Sequence, residues 1–73
     1  MNYSNKKIVL DDGKEYFVVE YVSFDNHDYL CIVNKTNEED VHFIEFKDNH
    51  VLPIDEKLFK EKIFPLFSQK FEN

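Results

Sequence analysis

The hydrophobic period of this chain changes once, at Ile54, and that change decides what the chain can become. Before it, apolar residues alternate in short runs broken by turn residues. After it, Phe59, Ile63, Phe67 and Phe71 recur at every fourth position, with Leu58 and Leu66 beside them. That spacing lines one face of a helix. Asp55 suits the N-cap, and Glu56 places a negative charge in the first turn, where the helix dipole favours it. A C-terminal helix is therefore expected within residues 55–72, running from about 56 to 71. Pro65 falls inside it, where proline removes one hydrogen bond and clashes with the carbonyl of residue 61. The apolar stripe continues past Pro65, so a kinked single helix is expected rather than two short ones.

Residues 6–54 read as a β-meander. Strands are expected over 6–10, 15–24, 29–34 and 41–47, with a short fifth over 50–54 that lies at an edge because Pro53 cannot donate to a ladder. Asp12-Gly13 is the clearest hairpin signal, since this pair accepts positive φ. Residues 25–28 and 48–49 make further turns, and 35–40 form a polar loop. One helix must cover one sheet face. The expected fold is α+β: an antiparallel meander of four to five strands with one C-terminal helix on one face, β-β-β-β-(β)-α, a single domain over 1–73 with residues 1–5 a frayed end.

This layout carries a resemblance. Ile8-Val9-Leu10-Asp11-Asp12-Gly13-Lys14-Glu15-Tyr16-Phe17-Val18 leads into the second strand. The Tyr29-Leu30 strand, the acidic loop Glu38-Glu39-Asp40 and the closing Ile54-Asp55-Glu56-Lys57-Leu58-Phe59 follow. Over about residues 8–67 the chain resembles the small acidic DUF1292 proteins of low-GC Gram-positive bacteria. It departs from them at Asn34-Lys35 and Pro65. The resemblance implies a cytoplasmic protein without a cofactor. That family has no assigned activity, so no functional residue carries over.

Charge narrows the function. Nine basic residues, all lysine, stand against fifteen acidic ones, for a net charge of −6. Without arginine the chain lacks the planar fork that grips phosphates and guanine edges. Nucleic acid and anionic membrane are unfavoured partners; a basic or neutral protein is favoured. The start of the chain is polar and lacks a signal-peptide core, and one cysteine, Cys31, fits a reducing compartment, so a cytoplasmic location is expected.

No catalytic or metal motif emerges. His27, His42, His50 and Cys31 show no ligand spacing such as CxxC or HxxxH. Cys31 sits mid-strand among Leu30, Ile32 and Val33, the setting of a small buried hydrophobe; a pairing with His42 on the neighbouring strand has no oxyanion hole to serve. A single glycine makes neither a P-loop nor a dinucleotide fingerprint. No catalytic residue, metal ligand or cofactor site is assigned.

The aromatic content, 16%, draws attention instead. Strand alternation places Phe17, Val19 and Tyr21 on one face of the second strand, and Tyr16, Val18, Glu20 and Val22 on the other. If the helix covers the first face, Tyr16, Val18 and Val22 form an exposed patch, joined by Phe64, which lies off the helical stripe. Against this stands coverage by strand twist, a bulge or the N-terminal segment. The leading expectation is a non-enzymatic module that binds another protein, or a second copy of itself, through that patch or an edge strand. The alternative is an acidic inhibitor of a nucleic-acid-binding protein, like phage anti-restriction and anti-CRISPR proteins, using Asp11, Asp12, Asp25, Asp28, Glu38, Glu39 and Asp40. With this charge, a gel-shift titration at physiological salt should give no appreciable DNA or RNA binding; submicromolar affinity would overturn the expectation.

Overall fold

The computed structural model describes residues 6–72; the expected frayed end, 1–5, lies outside them. Five strands form one antiparallel sheet in chain order: β1 (Lys7–Val9), β2 (Glu15–Phe24), β3 (His27–Asn34), β4 (Val41–Lys47) and β5 (His50–Leu52). One helix, α1, follows over residues 56–71. The β-meander and its covering helix are as the hydrophobic pattern implies.

The turns differ in kind at the two ends of the sheet. β2–β3 and β4–β5 are joined by two-residue turns, Asp25-Asn26 and Asp48-Asn49, all four residues at φ between 52° and 65°. Paired positive φ is the mark of type I′ turns, whose twist matches the strands, and Asn and Asp tolerate it better than other non-glycine residues. The β1–β2 connection is longer. Gly13 N–H donates to the Leu10 carbonyl at 2.9 Å and Leu10 N–H to the Lys14 carbonyl at 3.2 Å. Only Gly13, at φ 79°, is left-handed there. The Asp-Gly signal thus marks a three-residue loop ending in a glycine bulge, not a two-residue turn.

β2 carries the decisive irregularity. Its pairing with β3 shifts between Val18 and Glu20, where one extra residue, Val19, enters the strand. A bulge of this kind resets the alternation, so side chains before and after it change faces. Tyr16 and Val18 face the concave side of the sheet. There they pack with Ile8, Leu30, Ile32 and Ile44 in a core that the curl of the sheet closes over itself. Val22 emerges on the convex side, in a second core with Tyr29, Cys31, Ile63 and Phe67 under α1.

Asp55 caps α1, its carboxylate accepting from Leu58 N–H at 3.0 Å. The proline conflict is resolved without a break. The turn over Phe59–Ile63 widens to π geometry, and Phe64 N–H donates to the Phe59 carbonyl. This widened turn directly precedes the position where Pro65 has no N–H to offer and would crowd the carbonyl of residue 61. Ile63 and Phe67 are fully buried, whereas Phe71, expected on the same stripe, is exposed.

Phe67→Ala should cost about 3–5 kcal/mol, a large share of what a domain this small possesses. Val18→Lys should abolish cooperative unfolding, because the ammonium would enter the concave core. Denaturant melts check both; a loss under about 1 kcal/mol for either would contradict the two-core packing.

Candidate functional site

The expected exposed patch does not form. Tyr16, Val18 and Val22 are 1%, 6% and 4% exposed. The bulge at Val19 sends the first two into the concave core and the third beneath α1, so they neither share a face nor meet solvent. Of that group only Phe64 is open to water, at 48%.

The exposed apolar surface lies elsewhere. α1 covers the convex face over Val22, Tyr29 and Cys31 and leaves the part nearer the residue 35–40 loop bare. Phe17 pairs with Val33, and Val33 with Val41, so the three stand side by side across β2, β3 and β4 on that bare part. Phe17 is 39% and Val41 42% exposed, and Val19, the inserted residue, is also exposed. Along β4 the row continues into Phe43, whose ring lies 5.0 Å from Phe59 and 6.4 Å from Phe64. Phe59 and Phe64 are themselves 5.7 Å apart. The widened turn produces this contact, since it brings residues five apart, rather than four, onto one line of the helix. Lys7 and Lys35 flank the row, both reaching Glu15, at 3.8 Å and 3.5 Å.

At the end of the sheet that carries the longer connections, a polar cluster anchors the loop. Tyr16 Oη donates to Asp40 Oδ2 at 2.9 Å, and Asn34 Nδ2 donates to the same oxygen at 3.0 Å. His42 Nε2 lies 2.8 Å from Asp40 Oδ1. Asn34 Oδ1 accepts from both the backbone N–H and the hydroxyl of Thr36. The bonds from Asn34 and Tyr16 hold the Asp40 carboxyl below its usual range. Burial, then the bond to Asp40, pushes the Tyr16 phenol up to about 12. Every member is engaged, which is the arrangement of a structural anchor for residues 35–40.

The acidic residues divide between the two ends. Asp11, Asp12, Glu38, Glu39 and Asp40 lie with the β1–β2 and β3–β4 connections, while Asp25 and Asp28 lie with the tight turns opposite. Ser23 Oγ donates to Asp28 Oδ1 at 2.7 Å. Cys31 is buried beneath α1, and burial pushes its thiol up to about 11, away from a reactive thiolate. Its suggested pairing with His42 fails geometrically. Cys31 pairs with Phe43 and Ile32 with His42, so thiol and imidazole point to opposite faces. His27 Nδ1 instead meets Glu45 Oε2 at 2.8 Å.

Among the described residues, no three His, Cys, Asp or Glu side chains group so as to hold a metal ion, and no helix is long and apolar enough to cross a membrane. No family model, curated protein or solved structure matches the chain.

The anchor predicts two pH limbs. Asp40 has a lowered folded pKa, so its contribution is present above the unfolded value near 4 and is lost as pH falls through the folded one. Wild type should lose more stability below about pH 4 than Asp40→Asn, which cannot titrate. Tyr16 has a raised pKa, so its contribution is complete below the unfolded value of about 10 and disappears as pH rises through about 12. Burial raises the Tyr29 phenol as well, so ultraviolet titration should find the phenolates of Tyr16 and Tyr29 delayed toward alkaline unfolding.

Proposed function

We propose that this protein is a non-enzymatic binding module that docks a protein partner on the bare part of its convex face. The observation that supports this is the row Phe17, Val33 and Val41, continued by Phe64. A small domain gains nothing by leaving adjoining aromatic and branched side chains in water. Full burial of a Val or Phe side chain contributes about 1.5–3 kcal/mol. These are already partly covered, so the row supplies only a few kcal/mol before the cost of association. A transient contact is the expected kind, with a second copy of the chain among the candidates.

The acidic-inhibitor reading has less support. Its acids lie at opposite ends of the molecule, so only the group at the longer loops, Asp11, Asp12, Glu38 and Glu39 with Asp40, could face one partner. Asp40 is already committed to Tyr16, Asn34 and His42.

Phe17→Lys combined with Val41→Lys tests the proposal. Both positions are exposed, so the variant should fold with nearly unchanged thermal stability. It should lose whatever association the wild type shows in sedimentation velocity and in capture from cell extract. An unchanged set of captured proteins sinks the convex-face reading; loss of binding on reversing Glu38 and Glu39 alone would favour the acidic one.

A further inference from the structure

We propose that the open seam between β1 and β5 receives one extended segment of another polypeptide, which pairs antiparallel to both edges and closes the curl as a sixth strand. This surface is separate from the convex face, and the inference does not depend on that reading.

An antiparallel meander with an odd number of strands leaves its two outer strands parallel to one another. The curl of the sheet brings those strands to either side of a groove but cannot join them in an antiparallel ladder. One inserted strand restores alternation all the way round. The groove is present. About 390 Å³ lies between Val9 and Leu10 on one side and Ile44, Val51 and Leu52 on the other. A further groove of about 200 Å³ extends toward Lys6, Lys7 and Phe46. Ile8 and Ile44 belong to the concave core beneath it, so its floor is apolar.

The backbone of both edges is available. Lys6 O accepts from Val18 N–H at 3.1 Å, and Leu10 N–H donates to Lys14 O at 3.2 Å. Antiparallel pairing alternates, so Lys7 and Val9 turn their amides and carbonyls away from β2, into the seam. On β5, Lys47 and His50 close the tight turn, which turns Val51 outward in the same way. Among the described residues, no backbone or side-chain bond occupies these groups. The other open edge is treated differently. Beyond the reach of β1, Tyr21 N–H donates to Glu20 Oε1 at 3.0 Å, and Tyr21 O accepts from Lys70 Nζ at 2.7 Å. There the ladder is capped by side chains.

Charge sets the direction of the guest. The seam has Lys6 at one end, its ammonium 5.4 Å from the centre of the Phe46 ring, and Asp11 and Asp12 at the other. A strand antiparallel to β1 enters at the aspartates and leaves at Lys6, so it carries a basic residue first, alternating apolar residues, and an acidic residue last.

The test uses the whole protein and two labelled synthetic peptides, Lys-Thr-Val-Thr-Val-Thr-Glu and its charge-reversed twin Glu-Thr-Val-Thr-Val-Thr-Lys. The first should bind about tenfold more tightly than the second and slow hydrogen exchange at the Val9 and Val51 amides. Val9→Pro removes one outward donor without touching the β2 ladder and should weaken binding about fivefold to tenfold. Val51→Pro repeats this from the other edge, so one variant that fails to fold does not leave the question open. Equal binding of the two peptides, no binding of either, or full binding by both proline variants overturns the proposal. So does a wild-type dimer that Val9→Pro dissolves without any peptide, since that places a second copy in the seam.

Discussion

Between Val18 and Glu20, β2 holds one residue more than the strand beside it, and the two hydrophobic cores lie on opposite sides of that point. Without the extra residue, Tyr16, Val18, Glu20 and Val22 would share a face, and Glu20 and Val22 would follow Tyr16 and Val18 onto the concave side. With it, the first half of β2 feeds the concave side and the second half the convex side. A small chain has too little apolar surface for one large core. Dividing it between the inside of a curl and the underside of a helix lets a strand that is apolar on both faces bury both. Bulges also sharpen local twist, so the same residue contributes to the curl that shuts the concave core.

The element order is readable because hydrophobic period and turn residues agree along the whole chain. Asp25-Asn26, Asp48-Asn49 and the lone Gly13 each sit at a reversal, and Asp55 caps the helix as its side chain invites. The surface is not readable, for a physical reason. Val18-Val19-Glu20 contains no glycine and nothing else that distinguishes a bulge from plain strand, and a one-residue shift exchanges inside for outside. Strict alternation therefore puts Tyr16, Val18 and Val22 in water, and Phe17 and Val19 in the core, when the reverse holds. Helical geometry alone places Phe64 off the stripe, but its contact with Phe59 depends on the wide turn. Pro65 signals only that some adjustment must occur there. The anchor around Asp40 leaves no mark in the sequence, because Tyr16, Asn34 and His42 come from three strands and show no spacing.

Ion pairs here serve position more than stability. Lys7 and Lys35 share one carboxylate, Glu15, at the exposed surface, where such pairs contribute about 0–1 kcal/mol. Lys70 acts more specifically. It reaches Glu20, the Tyr21 carbonyl and the Tyr21 ring together, tying the end of α1 to the bulge. The bulge and the helix are thus fastened to each other, and the convex core lies between them.

The order of these parts along the chain has a consequence for how the protein comes into being. Every strand pairs with its neighbour in sequence, so the sheet can zip up hairpin by hairpin from local contacts, a topology that favours rapid assembly. The packing of α1 on the meander, which Lys70 fastens at Tyr21, waits until the helix has been made. Until α1 docks on the meander, Val22, Tyr29 and Cys31 face water. A meander whose helix is undocked presents a far stickier surface than the packed domain, and its chief hazard is sheet-to-sheet adhesion between copies in that state.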